Sequence, residues 1–196
     1  MGNREELLAG AKRCLRSNGF ARTTARDIAA ASGVSLAAIG YHFGSKEALL
    51  TQALVEATGE WVDEFGRILA SDLDPRATPM ERFEQTWAQL LESFSAHRQL
   101  WAANFEVSPY IDAMPQVRQV MATAQQQARL GLARLFLGVT GDQRSAQDAG
   151  AFYYALLAGV MIQWLVDPDK APSAADLVHG LQIASGVASK GSASHG

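Results

Sequence analysis

A single cysteine, Cys14, in 196 residues excludes an internal disulfide framework, so a reducing, cytoplasmic setting is expected. Histidine is scarce too. His42, His97, His179 and His195 form no H-x-x-x-H pair and have no cysteine pair beside them, so no metal-ligand spacing arises and no cofactor is expected. G-x-S-x-G, GxGxxG and Walker patterns are absent, and carboxylate pairs such as Asp63–Glu64 fall on a helix surface. An enzyme is therefore not expected. Met1 to Arg16 is charged throughout and lacks the apolar segment of a secretory leader. No β-alternating run and no internal repeat occurs, which leaves an all-α class.

The net charge of −3 hides an asymmetry. Residues 1–51 carry Arg4, Lys12, Arg13, Arg16, Arg22, Arg26 and Lys46 against Glu5, Glu6, Asp27 and Glu47, a surplus of three positive charges, while the remainder is acidic. Opposite signs in the two parts suit an N-terminal part that meets a polyanion.

Apolar periodicity places a first helix over residues 4–18, with Leu7, Leu8, Ala11, Cys14 and Leu15 on one stripe and Gly19 as its stop. Cys14 reads as a small core residue. Thr24 with Asp27 predicts a capping box and a second helix from about Ala25 to Gly33. Ser35 caps a third helix that Gly44 stops, and Ser45 caps a long fourth helix running to about Ser71. DLDPRATP, residues 72–79, reads as a linker. Further helices are expected over 80–97, 100–110, 116–137, 146–166 and 173–188, with SPYIDAMP breaking the pattern after 110 and SKGSASHG as a disordered tail. The expected domains are 1–50, 51–188 and the tail 189–196.

Three short helices with the tight turn Gly33-Val34-Ser35 make a helix-turn-helix, whose third helix enters the DNA major groove. An isolated helix this brief is marginal in water; its neighbours must hold it. Ile39 and Phe43 can anchor one face, leaving Leu36, Ala37, Gly40 and Tyr41 on the other, where small groups approach base edges and thymine methyls. Lys46 opposes the macrodipole at the start of the fourth helix, at about 0.3–1 kcal/mol, a sign that a phosphate there would reverse. His42 suits either packing or a phosphate. Thr24 is placed for a phosphate, and Arg26 for a guanine edge.

The run GFARTTARDIAAASGVSLAAIGYHFGSKEALL resembles the DNA-binding domain of the TetR family of bacterial transcriptional repressors, over about Leu7 to Leu54. The resemblance implies phosphate contacts from Thr24, Tyr41, His42 and Lys46, and base-edge contacts from Arg26 and the start of the third helix, Ser35, Leu36, Ala37 and Ala38. Where many members carry an aromatic this chain has Gly40, so Tyr41 is expected to take over that backbone contact.

The resemblance also implies that the rest of the chain dimerises and holds a small-molecule effector. AGAFYYALLAGVMIQWLV, residues 149–166, has the length of a membrane span, but Asp148, Asp167 and Asp169 bracket it and Gln163 interrupts it, so no membrane is expected. A helix apolar nearly all round must be buried. Ala151, Ala155, Ala158 and Gly159, with Leu177, Leu181, Ile183 and Ala184 of the last helix, are the candidate subunit interface, two helices from each protomer forming a four-helix bundle. Trp87, Phe94, Trp101, Phe105, Tyr110, Met114 and Met121, with Gln125 as a polar anchor, suit either core packing or an apolar effector pocket. Glu92 and Glu106 could attract a cationic ligand or be plain surface carboxylates.

The expected partners are thus double-stranded DNA, a second copy of the chain and an unknown small molecule. An effector that shifts the fourth helix would change the spacing of the two third helices on a palindromic site. A helical protein-interaction adaptor, or a DNA-binding protein without an effector, are the competing readings.

Overall fold

A computed structural model describes residues 2–72, 76–137 and 143–186, and every regular element among them is helical. In order they are α1 Asn3–Asn18, α2 Ala25–Ser32, α3 Leu36–Phe43, α4 Lys46–Asp72, α5 Pro79–Ala96, α6 Arg98–Glu106, α7 Ser108–Ala113, α8 Pro115–Leu137, α9 Gln143–Val166 and α10 Ala174–Ala184. The fold is therefore all-α, with an N-terminal helix-turn-helix followed by a larger helical part. By internal contacts the described residues fall into two compact units, one within Met1–Gly66 and His97–Arg129, the other within Arg67–Ala96 and Leu130–Gly196. The boundary expected at residue 50 lies inside α4.

Local chemistry accounts for the helix ends. In α1, Glu5 and Glu6 occupy the first turn and Arg16 the last, both favourable to the macrodipole. Gly19 then takes φ +78°, a conformation other residues rarely adopt, and its N–H bonds the Leu15 carbonyl. The Thr24–Asp27 capping box is complete: the Thr24 hydroxyl accepts from the Asp27 N–H at 3.1 Å, and the Asp27 carboxylate accepts from the Thr24 N–H at 2.8 Å. Thr78 and Glu81 start α5 in the same way, with Pro79 at the first helical position, and Ser173 and Asp176 start α10.

Hydrogen bonds from the Thr24 hydroxyl and then its N–H hold the Asp27 carboxyl below its ordinary pKa. A carboxylate lowered on folding stabilises fully above its unfolded pKa and loses that contribution as pH falls through the folded value. Asp27→Asn should therefore melt at lower temperature than the parent at neutral pH, and the two melting curves should converge in strong acid.

Two elements differ from the sequence expectation. Residues 108–113 form the short helix α7 rather than a break, because Pro109 sits in its first turn, where its missing N–H is harmless. The last helix ends at Ala184, short of 188, where Ser185 caps it and Gly186 takes φ +73°. Residues 73–75 of the expected linker and the tail 189–196 lie outside the described residues.

The first unit is built on Leu7, Leu15, Phe20, Ile28, Leu49, Leu50 and Leu54, joined by Leu100, Ala103, Val107 and Val117 from α6 to α8. Cys14 is buried among them, and burial pushes its thiol pKa up. Helices α1 and α2 touch at Gly10, where an added Cβ would lie 2.8 Å from the Ser32 Cβ and 3.0 Å from the Ser32 backbone nitrogen. Gly10→Ala should cost about 1–3 kcal/mol of stability by overpacking, measurable by thermal or urea denaturation. Lys12 of α1 bridges Glu56 at 2.9 Å and Glu60 at 2.6 Å on α4. In the second unit Phe83, Trp87, Phe136 and Tyr153 pack together, Phe136 stacked on Tyr153 at 4.2 Å, while Phe94 meets Trp164 edge-on.

Candidate nucleic-acid interface

Helix α3 has one dry and one wet face. Ile39 is buried, and Ala38 and Phe43 pack against the same core. Leu36, Ala37 and Gly40 are exposed, and Tyr41 keeps 86% of its surface open to solvent. Eight residues cannot hold such a helix by propensity alone; Ile39 and its neighbours hold it, and the tyrosine is displayed. Ala38, expected with the base-contacting residues, is instead turned toward the core.

Around this face the polar candidates gather. Ser35 is the N-cap residue of α3, yet its side chain makes no capping bond, so its hydroxyl stays outward. Thr24 and Arg26 are exposed at the start of α2, and Arg26 has no side-chain partner among the described residues. The Thr24 hydroxyl is already engaged, donating to the Asp27 carboxylate at 2.7 Å. His42 is half-buried, its ring edge-on to Tyr41 at 4.9 Å and near Phe43. Arg4, from the start of α1, lies over the Phe43 ring at 5.1 Å and adds a cation at the end of α3 that sequence spacing did not place there.

Lys46 is more engaged than the sequence suggested. Its ammonium donates to the Thr23 carbonyl at 3.0 Å and pairs with Glu47 at 3.3 Å, leaving the side chain 21% exposed. The helix start that it opposes is served by Glu47 and by Ser45, whose hydroxyl accepts from the Ala48 N–H. An intramolecular partner thus explains the lysine without a ligand, while still setting it one residue from Thr24.

The effector candidates divide between the units. Trp87 and Phe94 are buried in the second, whereas Trp101, Phe105, Tyr110, Met114, Met121 and Gln125 belong to the first. There Tyr110, Met114 and Met121 pack on the core, and Trp101 sits edge-on to Trp61 at 4.5 Å. Two open clefts of about 320 Å³ each, one beside His42, Gln52 and Gln116 and one beside Ile162 and Lys170, are lined by none of the eight. Glu106 carries hydrogen bonds rather than facing solvent idly, accepting from the N–H groups of Phe20 and Ala21.

Of the interface candidates, Ala155 and Ala184 are exposed, and Ala151, Ala158, Gly159, Leu177 and Leu181 are half-buried. Sequence reading placed Ile183 there, and it is exposed, but missed the larger apolar side chains of α9: Phe152, Ile162 and Val166 are all exposed, Val166 by 78%. With Ala155 and Gly159 the α9 residues recur every 3–4 positions, which carried the signal, but in a segment apolar all round no face stands out. By length and composition the segment Arg144–Val166 could also cross a membrane.

A helix-turn-helix with its third helix exposed and basic residues around it defines a DNA-binding regulator. Comparison with known proteins agrees. Residues 7–53 match the model for bacterial regulatory proteins of the tetR family. The regulator TtgR of Pseudomonas putida is 27% identical over 173 residues, 85% of this chain and 81% of that one. The repressor KstR2 of Rhodococcus jostii is 38% identical over 77 residues, 39% of this chain and 38% of that one. Among solved structures, the multidrug binding protein EbrR complexed with proflavin superposes with a TM-score of 0.64 at 21% identity, covering 92% and 98% of the two chains. Residues 7–53 are thus similar to a tetR-family DNA-binding domain, and the relative matched over most of the chain is a transcriptional regulator.

Proposed function

We propose that this chain represses transcription as a homodimer bound to a palindromic operator and is released by a small, largely apolar effector. The observation that carries the DNA reading is Tyr41, an aromatic side chain left almost wholly in solvent on a helix whose other face is anchored. Residues 1–50 supply the contacts: Arg26, Ser35, Leu36 and Ala37 toward base edges, Thr24, Tyr41, His42 and Lys46 toward phosphates, and Gly40 allowing close backbone approach. Residues 51–188 supply dimerisation and regulation.

The second copy covers the stripe Phe152, Ala155, Gly159, Ile162 and Val166 of α9 together with Ile183 and Ala184 of α10. Large apolar groups at helical spacing, left open in a single chain, support this. For the effector, support is confined to the second unit. Trp87 is fully buried among Phe83 and Phe136, and its Nε1 has no hydrogen-bond partner among the described residues. An apolar molecule with one acceptor would satisfy that donor. That EbrR is described as a multidrug binding protein fits an aromatic-lined site of this kind.

Titration of labelled duplex at rising salt tests the DNA reading, with a steep fall of affinity expected. Indifference to duplex at low ionic strength would remove it. An effector must lower DNA affinity, and DNA must lower effector affinity by the same factor; unaltered duplex binding at saturation rejects that molecule.

A further inference from the structure

The turn after α1 is held from outside the three-helix head. Glu106, the last residue of α6, accepts through one carboxylate oxygen from the N–H groups of Phe20 and Ala21, each at 2.8 Å. The approach is close: a Cβ on Gly19 would stand 3.1 Å from the Gln99 side-chain oxygen and 3.4 Å from the same Glu106 oxygen. Phe20, fully buried, packs against the Tyr110 ring of α7 at 5.5 Å. From this turn the bonding continues into the DNA-facing residues. The Thr23 hydroxyl donates to the Gly19 carbonyl at 2.6 Å, and Lys46 donates to the Thr23 carbonyl at 3.0 Å. Thr24, next in the chain, starts α2.

We propose that Glu106 is a positioning residue for DNA binding. Its carboxylate fixes residues 20 and 21, and through Thr23 it holds Thr24 and Lys46 in the arrangement that meets phosphates. This rests on the DNA-binding reading above. Hydrogen bonds to a carboxylate are about twice as strong as neutral ones, and two on adjacent amides fix a turn that no helix ladder fixes. A head ordered beforehand binds more tightly than one ordered on contact.

The test uses the full chain, Glu106→Ala and Glu106→Gln, and a duplex that the native chain selects from a randomised pool. Without DNA, Glu106→Ala should speed amide exchange at Phe20 and Ala21 at least about tenfold and leave Leu15 unchanged, tenfold being about 1.4 kcal/mol. Duplex affinity should fall by roughly tenfold with the salt slope unaltered, since no phosphate contact is removed. Glu106→Gln keeps an acceptor oxygen and should recover most of both losses. Unchanged exchange in Glu106→Ala overturns the proposal, as does fast exchange with unchanged duplex affinity. A native chain that selects no duplex overturns the DNA reading itself, a result told apart because the exchange is read without DNA.

Discussion

Phe152→Glu with Ile162→Glu is expected to yield a folded chain that sediments at half the native mass and loses palindromic duplex at least about a hundredfold, the scale of two linked binding events. Both side chains lie exposed on one stripe of α9, with Val166 below them. Glutamate in their places would bury unpaired charge against an apolar partner, and the dimer would give way before the fold does. Far-UV circular dichroism should match the parent, because neither position contributes to the monomer's core. Sedimentation velocity is the deciding measurement; a double variant that remains dimeric would move the interface off α9.

The second large effect divides two neighbouring cations by the kind of loss they cause. Arg26→Ala should relax preference at one base pair by about 1–3 kcal/mol and leave other positions alone. Lys46→Ala should weaken all duplexes alike and lower the salt slope by about one. Since Lys46 also holds the Thr23 carbonyl, its loss should exceed that of one phosphate contact, and the excess should persist at high salt. Selection from a randomised duplex pool, repeated at two salt concentrations, separates these outcomes. If Arg26→Ala changes no base preference, the guanine assignment fails.

Local signals carried most of the helix boundaries. Thr24 with Asp27 is a capping box in four letters, and Gly19, Gly33 and Gly44 each end a helix with positive φ. Those features depend on neighbours within one turn, so a sequence reads them directly. The face of α3 was legible for the same reason, Ile39 and Phe43 being the apolar pair opposite Tyr41. What depends on distant residues was not. Glu106 looked like a surface carboxylate because its partners, Phe20 and Ala21, lie some 85 positions away. The aromatic residues of α5 and α6 read as one set, yet Trp87 and Trp101 belong to different units. From Ala149 on, nearly every position of α9 is apolar, and only the packing of the chain decides which of them are left open.

The lone thiol offers a consequence of another kind. Cys14 is sealed inside the first unit, with its pKa raised by that enclosure, so an alkylating reagent can reach it only when the head breathes. Its rate of labelling is a built-in clock for that opening, and a probe attached through a new cysteine at Ser35 would report without the native thiol having to be removed.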